Sequence, residues 1–216
     1  MANDFSFDTI KDFDNHINNS IMGYDLLHNL IINLSEFFIQ KNSTLPIVDL
    51  GCTTGKMLQM IKERWTFLNC KGYDKTDHNF LQTNDIELIR ADITNIDFPK
   101  SQIFYSIFTL QFIEIDKRQD ILKRIYESLY PNGVFFFCEK EYAQNAKFQE
   151  VYTFANYSNK QKSFSHTEIL EKEKDIRTLM SPLNEYENKK MLKTAGFKHI
   201  DIFFKSLNFT GYICQK

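Results

Sequence analysis

Residues 46–56 read P-I-V-D-L-G-C-T-T-G-K. A proline punctuates the start, Ile47, Val48 and Leu50 form a short apolar run, and Gly51 and Gly55 then permit a turn whose backbone can approach a ligand closely. This is the grammar of a buried strand running into a crossover helix, for which Met57, Leu58, Met60 and Ile61 supply the apolar face. About 25 residues after Asp49, Gly72-Tyr73-Asp74 closes a second short strand. A carboxylate there occupies the place where open α/β sheets put the acceptor for a ribose diol. The third glycine of a dinucleotide fingerprint is absent. So is the G-x-x-x-x-G-K-[ST] spacing of a phosphate loop: Met57 follows Lys56, leaving no hydroxyl to hold a magnesium ion.

Outward from this unit, strand patterns fall at residues 69–73, 87–90, 103–108, 134–138, 200–205 and 209–214, with helical spacing at 24–40, 118–129 and 186–194. Alternation of strand and helix predicts a doubly wound, Rossmann-like, mostly parallel seven-stranded sheet. The few residues joining the last two strands require an antiparallel hairpin. Residues 1–44 are expected to form an N-terminal helical cap. The polar, aromatic-bearing stretch 141–181 should be a helical insertion after the fifth strand, over the crevice where such folds bind ligands; a lid and a dimer arm are both open roles.

A chain of 216 residues, 43% hydrophobic and 25% charged, is sized for one well-cored domain. A net charge of -2 provides no basic field for nucleic acid. The four cysteines, Cys52, Cys70, Cys138 and Cys214, are scattered and read as reduced thiols. There is no apolar run of membrane-spanning length, the N-terminus is acidic, and a cytoplasmic location without membrane contact is expected. No metal-ligand spacing and no Ser-His-Asp or Cys-His constellation emerges from five dispersed histidines, and His28 and His78 read as structural or solvated.

Several motifs together carry a resemblance. F-D-N-H-I-N-N-S-I-M-G-Y at 13–24, D-L-G-C at 49–52, A-D-I at 91–93, F-T-L-Q-F at 108–112, C-E-K at 138–140 and A-G-F at 195–197 make the chain similar to class I S-adenosylmethionine (SAM) methyltransferases. Within that class it resembles the carboxy-SAM synthases, which make a carboxylated cofactor for tRNA wobble-uridine modification. The resemblance implies SAM as cofactor and a homodimer. It places Tyr24, Gly51, Cys52 and Thr53 at the methionine part, Asp74 at the ribose, and Asp92 and Ile93 at the adenine, with Asp49, Gly55, Lys75 and Ile107 completing the cofactor-binding set. An aspartate suits the adenine amino group because it only accepts hydrogen bonds.

Two departures mark this chain. The family's asparagine before F-T-L-Q-F is Ile107 here, and the family's arginine that pairs with the cofactor carboxylate aligns, counting back from A-G-F, with Glu173. A guanidinium grips a carboxylate bidentately and a glutamate repels it, so Glu173, with Arg177 a helical turn away, is the expected substrate-side group. The sequence thus points to methyl transfer from SAM to a small-molecule acceptor. Carboxy-SAM synthesis from SAM and prephenate is the alternative, and a catalytically idle SAM-binding or dimerisation module a third. Methyl transfer needs little side-chain chemistry, since the sulfonium is already activated and alignment supplies most of the rate.

Overall fold

A computed structural model describes residues 12–77 and 80–216. The first eleven residues of the expected cap, and His78, lie outside them. In chain order the elements are α1 (Phe13–Ser20), α2 (Tyr24–Ser35), β1 (Ile47–Leu50), α3 (Lys56–Arg64), β2 (Cys70–Asp74), β3 (Glu87–Arg90), β4 (Ser101–Ile107), α4 (Ile115–Ser128), β5 (Leu129–Tyr142), α5 (Ala146–Lys160), α6 (His166–Leu179), β6 (Leu183–Asn184), α7 (Glu185–Ala195), β7 (His199–Ser206) and β8 (Phe209–Gln215). The sheet runs β3-β2-β1-β4-β5-β8-β7, parallel through β5 and antiparallel at β8 and β7. The two-residue β6 pairs with the end of β5 as an eighth strand.

The central strands β1, β4 and β5 are buried on both faces, and their period of two sorts the core into two layers. Ile47, Ile103, Tyr105, Val134, Phe136 and Cys138 face Leu27 and Ile31 of α2 and Leu58 and Ile61 of α3. Their neighbours Val48, Phe104, Phe135 and Phe137 face Ile121, Leu122 and Ile125 of α4 and Leu192 of α7. Each such side chain contributes about 1.5–3 kcal/mol on burial, which is why near-continuous apolar runs become central strands.

Helix α2 stops at Ser35, five residues short of the apolar pattern. The Ser35 hydroxyl turns inward to Ile31 O at 2.7 Å and to the Tyr105 phenol at 2.8 Å, while Phe37 swings out to solvent. The cap is two helices rather than one because Gly23, at φ +84°, breaks the chain between them. Strand β5 begins earlier than its apolar core, at Leu129, through an irregularity opposite Ser101 and Ile103. The insertion is the helix pair α5 and α6, started by an Asn145 cap and by a Ser165–Glu168 capping box.

Candidate functional site

The carboxyl ends of β1, β2, β4 and β5 open into a cavity of about 550 Å³ roofed by α1 and α6. Its floor is the turn after β1. Gly51 takes φ +76°, and a Cβ there would stand 2.3 Å from the Thr109 side chain, so strand and F-T-L-Q-F turn meet only because the position is bare. Gly55, at φ +83°, closes the turn and starts α3.

Asp74, at the end of β2, accepts from the Thr53 amide at 2.9 Å through one oxygen and from the Thr76 amide at 3.1 Å through the other. Burial pushes its carboxyl up, and these amide bonds oppose the rise. The aspartate therefore both shapes the glycine turn and faces the cavity. Asp49 lies beneath the turn, buried, and burial followed by the nearby Asp74 raises its carboxyl to about 7. Asp92 accepts from the Thr94 hydroxyl at 2.7 Å and amide at 2.9 Å through a single oxygen, and these bonds hold its carboxyl below the usual range. The second oxygen has no hydrogen-bond partner among the described residues. Ile93 is buried beside it.

The far wall is aromatic and basic. Tyr24 stacks near Phe108 at 6.3 Å and lies against His28 at 4.2 Å between ring centroids. Burial lowers His28 to about 4, so its ring is neutral, and its Nε2 has no hydrogen-bond partner among the described residues. Lys140 from β5, Lys160 from α5, and Lys172 and Glu173 from α6 complete this side. Glu173 is 6% exposed, and Lys160 Nζ stands 3.0 Å from its carboxylate. Burial would raise this carboxyl, but Lys140 and Lys160 together hold it below its ordinary range.

All eleven cofactor positions expected from the sequence, Tyr24, Asp49, Gly51, Cys52, Thr53, Gly55, Asp74, Lys75, Asp92, Ile93 and Ile107, lie in or beside this one cavity; ten line it and Gly55 ends its loop. Glu173 lines it too. Arg177 does not: it is 64% exposed and reaches Glu173 only at 4.0 Å, on the outer side of α6. His16, Lys140, Lys160 and Lys172 belong to the wall as well; the place of Lys140 after the fifth strand, at the crevice mouth, and of Lys172 beside Glu173 already points there in the sequence. His16 and Lys160 read in sequence as ordinary charges on helices, and the folding of α6 back onto α1 brings His16 and Lys172 together. That contact is explicit in Lys172 Nζ at 2.6 Å from His16 Nε2 and Ser163 Oγ at 3.1 Å from Asn19 Oδ1.

Glu139, the neighbour of Lys140, is a buried strut. Its carboxylate accepts from the Leu110 amide at 3.1 Å and so ties the F-T-L-Q-F turn to β5. Burial raises it from 4.5 to about 8, with Arg118 opposing. A carboxyl whose folded pKa is raised binds more protons folded than unfolded, so stability falls as pH rises from about 4.5 to about 8 and levels off above. Glu139→Gln should flatten that limb in denaturant titrations at several pH values; an unchanged slope would remove Glu139 as its source.

Similarity to known proteins agrees with this geometry. The family description Methyltransferase domain matches residues 48–137. Among solved structures, a putative O-methyltransferase from Nostoc punctiforme superposes with a TM-score of 0.64 at 13% identity over 90% of this chain. Human N-acetylserotonin methyltransferase in complex with SAM does so with 0.60 at 14% over 89%. The chain spans 57% and 52% of those two structures, and at such identities the likeness concerns the fold. Cavity, turn and fold together define a SAM-dependent transferase.

A carboxy-S-adenosyl-L-methionine synthase of Sulfurimonas denitrificans is 31% identical over 85% of this chain and 83% of its own. Another, of Staphylococcus epidermidis, is 29% identical over 96% and 94%. The chain belongs to the carboxy-SAM synthase family of class I SAM-dependent methyltransferases. The residues present fit the cofactor: the bare Gly51 turn leaves room for backbone approach, Asp74 and the second oxygen of Asp92 face the cavity as acceptors, and the orphaned His28 Nε2 lines it. Asp74→Ala should therefore weaken SAM binding by about 1–3 kcal/mol, the scale of a lost hydrogen bond to a charged group. Calorimetry showing unchanged affinity would place the ribose elsewhere.

Proposed function

We propose that this protein transfers the methyl group of SAM to a small-molecule acceptor bound between the Tyr24–Phe108 wall and α6. The observation that carries this reading is Glu173: where the family's sequence pattern places a carboxylate-gripping arginine, this chain has a buried acid already engaged by Lys160. A partly roofed site that orients an acceptor against an activated sulfonium meets the main demand of methyl transfer. SAM, when bound, supplies the electrophilic methyl carbon. The chain's part is to hold it through Asp74, the glycine turn and Asp92, and to present the acceptor.

A second reading, synthesis of carboxy-SAM from SAM and prephenate, is supported by the relatives above and by Lys140, Lys160 and Lys172, which line the wall beside Glu173. Mass spectrometry of the small molecule retained by the purified protein separates the two. SAM or S-adenosylhomocysteine is the expected result, and retained carboxy-SAM would restore the synthase reading.

We also propose a homodimer. Phe148 is 56% exposed, Phe154 68% and Tyr186 69%, and such rings on α5 and α7 are costly to leave in water. Light scattering should give twice the 25.6 kDa chain mass at micromolar concentration; a monomer mass would refute the dimer. No helix among the described residues is long and apolar enough to cross a membrane.

A further inference from the structure

We infer that Phe108, with Tyr24, forms an aromatic face that recognises the positive charge of the cofactor's sulfonium, so that the site distinguishes charged SAM from its neutral product, S-adenosylhomocysteine. The inference rests on the SAM-transferase reading above and assigns the residues that read its reacting centre. It starts from the backbone. Phe108 takes φ +58°, in the left-handed region that a bulky side chain rarely enters. Such a conformation persists where the surroundings over-determine it, and it concentrates at functional sites. Its effect here is to change the side of the sheet. The alternation of β4 sends Phe104 to the α4 layer and would send residue 108 there too, yet Phe108 packs in the opposite layer, with α2. Its amide donates to Cys138 O at 2.8 Å, and its ring meets Phe209 of β8 edge-on at 5.5 Å. The turn thus delivers an aromatic ring to the cavity wall beside Tyr24.

Asp74, the Gly51 turn and Phe108 end three adjacent strands, in the order β2-β1-β4. Neighbouring strands lie about 4.8 Å apart. A nucleoside whose ribose is held at Asp74 therefore extends its sulfonium, which hangs from the ribose's exocyclic carbon, across the Gly51 turn toward the end of β4. The rings of Tyr24 and Phe108 border the cavity there, 29° from parallel with 6.3 Å between centroids. A sulfonium has no hydrogen to donate, so a hydrogen-bonding partner cannot hold it. The negative face of an aromatic ring can, and the attraction grows as water leaves. The ionised groups that act on Tyr24 are acids, Asp14, Asp25 and Asp49. Lys56 acts on His28, whose ring beside Tyr24 is neutral because burial lowers it to about 4. Those acids favour any cation, and the lysines of the cavity oppose one. The contribution of the rings is what remains when every one of these charges is kept.

The test is calorimetric titration with three ligands: SAM, neutral S-adenosylhomocysteine, and sinefungin, which carries an ammonium in place of the sulfonium. The variants are Phe108→Leu and Tyr24→Leu, which keep apolar bulk and remove one ring each, and Tyr24→Phe, which keeps the ring. Each leucine variant should weaken SAM and sinefungin by about tenfold while S-adenosylhomocysteine affinity stays within about twofold, and Tyr24→Phe should hold all three within about twofold. The proposal is overturned if the three ligands weaken alike, since the rings would then only pack, or if the charged ligands bind the leucine variants as tightly as the wild type. It is also overturned if SAM weakens and sinefungin does not, which would make the wall a methyl contact, or if Tyr24→Phe loses as much as Tyr24→Leu, which would assign the effect to the phenol. Should Phe108→Leu fail to fold, the two Tyr24 variants decide by the same criteria. A wild-type protein that binds none of the three would instead strike the SAM-transferase reading.

Discussion

Replacing Glu141 with alanine is expected to cost about 3–5 kcal/mol of folding stability, the scale of breaking a buried charge network by removing one partner. Glu141 is 3% exposed at the end of β5. Its carboxylate accepts from Asn188 of α7 at 2.9 Å, from the Thr210 hydroxyl at 2.5 Å and from the Tyr212 phenol, and Lys205 of β7 stands 3.6 Å away. The alanine variant leaves those donors buried without their acceptor. For a chain of this size the melting temperature should fall on the order of 10 °C. Glu141→Gln, which keeps the shape and one acceptor, should lose less. Equal melting temperatures for wild type and the alanine variant would show that the network contributes nothing.

The second large effect is expected at Gly51. A Cβ there adds strain at φ +76° and meets Thr109 at 2.3 Å, and neither can be relieved without moving the turn that faces the cofactor. Gly51→Ala should lower SAM affinity by about tenfold or more, ~1.4 kcal/mol per decade, with the sheet intact by circular dichroism. A variant that binds SAM normally would show that the turn tolerates a side chain and that the backbone does not closely approach the ligand.

The contrast between those two residues runs through the whole molecule. Gly51 announces itself, because a glycine between a buried strand and a helix has few other physical reasons to be there. Glu141 does not: its run, C-E-K-E-Y, alternates charge like a solvated strand end, and only β8 and α7 arriving from about 50–70 residues away bury it.

What the amino-acid order determined by itself was whatever short-range periodicity and backbone stereochemistry encode. The seven main strands and their crossover helices, the antiparallel hairpin at the end, the glycine turn and the carboxylates in or just after β1 to β3 were all legible, since each depends on neighbours within about one helical turn or one strand. Boundaries slipped where a long-range contact competed, as at Ser35, whose hydroxyl prefers Tyr105 to continuing the helix. The identity of the cavity's other wall was decided only by tertiary structure. Lys140 follows the fifth strand at the crevice mouth and Lys172 adjoins Glu173, but His16 and Lys160 lie on helix faces that look solvated. They come to one cavity wall when α5 and α6 fold back over α1 and the end of β5.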